Sequence, residues 1–140
     1  MKDINQIQNE IIEDFSLFDD WMGKYEHLIE FGKSLNNLDE QHKTENNLVK
    51  GCQSNVWLHT EMKADKLLFF ADSDAIITKG IIGLLVSVLS EQSPKSIVDA
   101  DLYFIEQIGL KEHLSPSRAN GLVSMIEKMK LSALACSAKL

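Results

Sequence analysis

Ile4, Ile7, Ile11, Phe15 and Phe18 recur at intervals of three and four residues. That spacing stacks side chains on one face of an α-helix, so an amphipathic first helix is predicted, with Asp3 placed to cap its start. Asp19 and Asp20 interrupt the stripe, which resumes as Trp21, Tyr25, Leu28, Ile29 and Leu35. A second helix is therefore expected from about residue 20 to residue 35, and the two stripes need a common apolar partner. Asn36–Asn47 is polar and reads as a surface loop. The period then changes to two: Val56, Leu58, Thr60 and Met62 alternate with Trp57, His59 and Glu61, as on a strand with one buried face. Lys63–Lys66 is expected to turn, and Leu67–Ala71 to return as a second strand. Leu48–Lys50 offers a short preceding strand.

Asp72, Ser73 and Asp74 supply capping side chains ahead of a long apolar helix running from Ile76 to Leu89. Gly80 and Gly83 within it permit close packing or a bend. Ser93–Pro94 and Ser115–Pro116 each place a capping hydroxyl before a proline, whose missing N–H is harmless in a first helical turn. Helices are thus predicted over Ser93–Ala100, over Asp101–Ile108 with Gly109 as the stop, and from Ser115 toward the end of the chain, fraying toward Leu140. These elements add up to an α+β fold, with a small antiparallel sheet of about three strands flanked by N-terminal and C-terminal helices.

Composition narrows the picture. The 140 residues, 44% of them hydrophobic, suit one compact domain spanning residues 1–140. The formal net charge is −7, from 14 basic and 21 acidic residues. This argues against nucleic acid, whose binding draws on Lys and Arg at phosphates, and against an anionic membrane surface. Residues 1–50 hold eleven acids and five bases, whereas residues 101–140 hold four and five. An acidic first half steers toward a basic partner face or simply solvates one side. The opening MKDINQIQNEIIEDF lacks the apolar run of a secretory signal, and the apolar stretch Ala75–Leu89 is shorter than the ~20 residues of a membrane helix. With two cysteines, Cys52 and Cys136, and no disulfide-rich spacing, a reducing cytoplasm and free thiols are expected. No CxxC pair or HExxH occurs, and no metal or cofactor is expected.

The stretch with the clearest chemistry is Lys50-Gly51-Cys52-Gln53-Ser54-Asn55-Val56-Trp57. Cys52 stands where a polar loop enters an alternating strand, and Gly51 allows a left-handed backbone just before it. A loop thiolate can attack the outer sulfur of another protein's persulfide, provided access is nearly in line with the leaving group. Lys50 is a candidate to lower the thiol pKa. The alternative is a small buried hydrophobe. Cys136, in a Ser/Ala/Lys tail, reads as incidental. His59, His27, His42 and His113 have no spacing that ties them to Cys52. Arg118, the only arginine, falls in the first turn of the last helix, the unfavourable end for a cation. Asp72 and Asp74 read first as caps and second as borders of the site.

Gly51-Cys52-Gln53-Ser54 with Val56-Trp57, Asp72-Ser73-Asp74-Ala75, Lys79-Gly80 and His113-Leu114-Ser115-Pro116-Ser117-Arg118 with Gly121 resembles the SufE family of sulfur acceptors. Trp21, Tyr25 and Gly32 extend the likeness to about residues 15–130. The resemblance implies a SufE/IscU-like fold. It also implies a sulfur acceptor and activator of a cysteine desulfurase, in which Cys52 carries persulfide sulfur toward an iron–sulfur assembly scaffold. Such a protein is a covalent carrier, not a stand-alone enzyme, and leaves pyridoxal phosphate to the desulfurase. Gly51, Gln53, Asp74, His113 and Arg118 match family positions around the site or partner face. Two other classes stay open, an iron–sulfur assembly scaffold and a non-covalent regulator of the desulfurase. Monomer and homodimer stay open as well.

Overall fold

The computed structural model describes residues 2–35 and 38–139. The start of the predicted loop at Asn36, and Leu140, toward which fraying is predicted, lie outside the described residues. Helix α1 spans Ile4–Ser16 and helix α2 spans Trp21–Lys33. Asp3 caps α1 by a reciprocal pair of bonds: its carboxylate accepts from Gln6 N–H at 2.8 Å, and its own N–H donates to Gln6 Oε1 at 2.9 Å. Asp20 caps α2 through Gly23 N–H at 2.9 Å. The predicted apolar stripe of α1 holds as Ile4, Ile11 and Phe15, all buried, whereas Phe18 lies past the helix end.

Strand β1 (Val56–Lys63) pairs with β2 (Lys66–Ser73) in antiparallel register from Val56↔Ser73 to Lys63↔Lys66. A two-residue turn joins them, with Ala64 at φ 57°. The sheet has these two strands, and the third strand anticipated at Leu48–Lys50 is reduced to a single bridge, Leu48 with Trp57. Val49 N–H donates to Val56 O at 2.8 Å, and the left-handed Gly51 then turns the chain away. Val56 and Leu58 are buried, but Thr60 is half-buried and Met62 exposed, so the alternation of β1 faces the core only in its first half. The apolar run of β2 hides an alternation of its own, with Leu67, Phe69 and Ala71 buried.

Helix α3 (Ile76–Leu89) is the centre of the molecule. Ile81, Ile82, Leu84, Leu85, Val88 and Leu89 are all 1% exposed or less, so partners cover the helix on more than one side. Where α2 crosses α3 the backbones nearly touch. A Cβ on Gly83 would lie 2.4 Å from Phe31 O, and one on Gly80 2.6 Å from Leu28 O. Close packing, not a bend, is therefore what these two glycines provide.

Helices α4 (Pro94–Asp99), α5 (Phe104–Gln107) and α6 (Pro116–Lys139) follow. Ser93 caps α4 by accepting from Ser96 N–H, and Ser115 Oγ accepts from Arg118 N–H at the start of α6. The helix expected over Asp101–Ile108 is one short turn, because Gln8 intervenes. Fully buried on α1, its amide donates to Asp101 O at 3.1 Å and accepts from Phe104 N–H at 3.1 Å.

An ion cluster ties the segment before β1 to the sheet. Asp72 pairs with Lys43 at 3.0 Å and with Lys79 at 3.2 Å, while Lys43 also lies over the Trp57 ring, 5.5 Å from its centroid. Burial would raise the Asp72 carboxyl, but hydrogen bonds from Lys43, Ser73 N–H and Lys79 outweigh it and hold it below the usual carboxylate range. Asp72→Asn should cost about 1–2 kcal/mol in urea unfolding at neutral pH, the scale of charge-assisted bonds in a partly solvated site. A carboxyl depressed on folding stabilises above its unfolded pKa, and that contribution fades as pH falls through the folded one. The gap between wild type and variant should therefore close on acidification, and a pH-independent gap would refute the charge-based account.

Candidate functional site

Cys52 is half-buried on the loop between the Leu48 bridge and β1. Three contacts fix that loop. Gly51, at φ 91°, rests against α6 so closely that a Cβ there would lie 2.5 Å from Ser124 Oγ. Ser117 Oγ donates to Gln53 Oε1 at 2.9 Å, tying the loop to the first turn of α6. The Asp74 carboxylate accepts from Asn55 N–H at 3.1 Å and Asn55 Nδ2 at 3.0 Å, and Ser73 Oγ donates to Asn55 O at 2.8 Å. The loop is thus clamped to α6 on one side and to the approach to α3 on the other.

The thiol itself lies against α6. Cys52 Sγ donates to Gly121 O at 3.7 Å, and a Cβ added to Gly121 would come within 3.2 Å of the sulfur. Beside it is a small cavity of about 60 Å³, lined by Cys52, Gln53, Ser54, Thr78, Ile81, Ser117, Arg118, Gly121 and Met125. Burial pushes the Cys52 thiol up from its ordinary value. Lys50 does not offset this, contrary to expectation: its ammonium is largely exposed and lies 3.8 Å from Glu45. Burial thus favours the protonated thiol over the thiolate at this resting site.

The residues singled out by sequence separate into two groups. Gln53 and Arg118 line the cavity with Cys52, and Gly51 and Asp74 hold its loop. His113 is not among the cavity residues. Its ring stacks on Trp21 with centroids 3.9 Å apart, Nδ1 lies 3.0 Å from Gly109 O, and its carbonyl accepts from the Tyr25 hydroxyl. It joins α2 to the approach to α6. Asp72 and Asp74 do not cap α3, whose N-cap is Ala75 with no side-chain acceptor; their carboxylates serve the ion cluster and Asn55 instead. Thr78 and Ser117 were missed as site residues. Thr78 and Ile81, three apart on α3, and Ser117, Gly121 and Met125, four apart on α6, carry a helical spacing with no chemical signature of its own.

Among the described residues, no group of three or more His, Cys, Asp or Glu side chains is placed to hold a metal ion. Among them, too, no helix is long and apolar enough to cross a membrane. Fold and site together define a small α+β protein that presents one half-shielded cysteine on a clamped loop. The chain belongs to the SufE family: that family's profile, described as an Fe-S metabolism associated domain, matches residues 9–133. It is 40% identical over 130 residues to an uncharacterized SufE-like protein of Rhizobium meliloti, covering 89% of this chain and 93% of that one. It is also 40% identical over 126 residues to SufE-like protein 1, chloroplastic/mitochondrial, of Arabidopsis thaliana, covering 89% of this chain but 34% of the longer plant protein. The solution structure of a hypothetical protein from Thermus thermophilus shares the fold, with a TM-score of 0.78 at 19% identity over 94% of this chain and 96% of the other. The molecule is thus a SufE-type sulfur-acceptor protein of iron–sulfur assembly.

Proposed function

We propose that Cys52 takes the outer sulfur of a persulfide held by a cysteine desulfurase and carries it, as a covalent persulfide, to an acceptor in iron–sulfur assembly. The observation that carries this reading is the seat of Cys52: a sulfur with a small cavity beside it, on a loop fixed by a few side-chain contacts. The Cys52 thiolate attacks the outer sulfur, a new S–S bond forms, and the bond to the desulfurase cysteine breaks, so that cysteine leaves as a thiolate. No external electrons are needed. Cys52 is half-buried, so attack requires the docked desulfurase to bring its persulfide against the accessible side of the sulfur. The protein acts as carrier and activator, while the pyridoxal phosphate chemistry belongs to the desulfurase. Gln53, Asp74 and Arg118 support the loop and the cavity, and the acidic first half of the chain suits a basic partner surface.

The test is the intact mass after anaerobic incubation with active desulfurase and free cysteine, followed by proteolytic mapping. Gain of one reducible sulfur on the peptide holding Cys52 is the expected result. An unchanged mass, or sulfur confined to Cys136, would refute the carrier reading.

A further inference from the structure

The cavity beside Cys52 lies between the beginnings of two helices. Thr78, in the first turn of α3, forms one wall; Ser117 and Arg118, in the first turn of α6, form another. Helix N-termini carry partial positive charge and free N–H groups. The N-cap of α3 is Ala75, which supplies no side-chain acceptor, and the Asp74 carboxylate just before it is engaged by Asn55. Thr78 lines the cavity and is only 7% exposed as a residue, which brings a hydroxyl-bearing side chain to its wall. Burial alone disfavours an anion here, as it does at the resting thiol, so a charged sulfur held in this space has to draw on the Arg118 guanidinium, the helix starts and Thr78.

Resting on the carrier reading above, we propose that Thr78 retains and protects the sulfur that Cys52 carries. Its hydroxyl donates a hydrogen bond to the terminal sulfur of the Cys52 persulfide anion inside this cavity. The space fits the group. A persulfide extends one S–S bond, about 2 Å, beyond Sγ. The cavity, at about 60 Å³, exceeds the roughly 10–15 Å³ that admits a single water. At rest the thiol donates its proton to Gly121 O, an acceptor that offers nothing to an anion. After transfer the added sulfur carries the charge, and the Thr78 hydroxyl is the donor proposed to meet it. The bond to Thr78 moves no electrons and breaks no covalent bond. It holds the persulfide in its ionised form, in which its outer sulfur is a poor target for stray thiolates.

The experiment compares the wild type with Thr78→Val, which keeps the shape and removes the donor, and Thr78→Ser, which keeps the donor. Each is loaded by desulfurase and cysteine, freed of both, and mixed with glutathione anaerobically. Loss of the persulfide is followed by intact mass across a pH series. Thr78→Val should lose sulfur about tenfold faster than wild type near neutral pH, the effect of a bond worth roughly 1.4 kcal/mol to the anion. The two rates should converge at alkaline pH, where both persulfides are ionised, and Thr78→Ser should follow the wild type. A merely loosened cavity accelerates loss equally at every pH, and that result would overturn the proposal. So would equal rates for wild type and Thr78→Val, or a Thr78→Ser that behaves like valine. A wild type that acquires no sulfur refutes the carrier reading itself, and the Thr78 role falls with it. A loaded wild type with any of the other contrary results removes only Thr78.

Discussion

Cys52→Ala should leave a folded protein that takes up no sulfur and stimulates the desulfurase no more than buffer does. The folding half follows from burial. Cys52 is half-buried, and removing one sulfur from a partly exposed site costs about 1 kcal/mol or less. The loop clamps at Gln53 and Asp74 do not involve the thiol, and the variant gives up only the long contact from Sγ to Gly121 O. The functional half follows from the chemistry, since no other group lining the cavity can form an S–S bond. Intact mass, desulfurase turnover and urea unfolding read the three quantities separately. Stimulation that survives in the variant would identify a non-covalent regulator, and the carrier mechanism would have to be abandoned.

Gly83→Ala should be among the most destabilising single-methyl changes in the molecule, at about 3 kcal/mol. The added carbon meets Phe31 O at 2.4 Å, Phe31 C at 2.7 Å and Gly32 N at 2.9 Å, all of them backbone atoms of the facing helix. A side chain could rotate away, but a helix backbone cannot. The cost is therefore separation of α2 from α3, at the upper end of the range for overpacked cores. Alanine's better helix propensity returns at most about 1 kcal/mol. Gly23→Ala is the control: its Cβ meets the flexible Phe18 ring edge at 2.9 Å, and the change should be nearly neutral. Urea midpoints compare the two. If Gly83→Ala proves as mild as Gly23→Ala, the close crossing of the helices is not what Gly83 provides.

Much of the architecture was legible because it follows from local rules. The apolar stripes of α1 and α2, the alternation at Val56–Leu58 and the Ser-Pro caps of α4 and α6 each depend on neighbours in the chain. What escaped depends on distant partners. Leu48–Lys50 has strand character, yet Gly51 turns away before a second pair can form. The short α5 reflects buried Gln8, 96 positions from its partner Phe104. Lys50 is adjacent to the loop in sequence, but its side chain lies toward Glu45 and the exposed surface. Asp74 looks like a cap from its place before a helix, and only the fold brings Asn55 to it. At the site, Cys52 stood out because its loop context was unusual, whereas Thr78 was concealed in an apolar helix pattern.

The sixth helix carries two obligations on successive turns. Gly121 and Ser124 meet the cysteine loop, while Leu122, Met125, Met129 and Ala133 are packed into the core. A rigid rod cannot adjust one set without moving the other. Sequence drift among those core positions is therefore filtered twice, once for thermodynamic fitness and once for how well the thiol is sheltered. On the proposed carrier mechanism, a substitution that leaves the melting temperature untouched can still shift the rod and alter the lifetime of the cargo. Inherited variation far from Cys52 would then surface as leakage of sulfur, with no loss of folded protein.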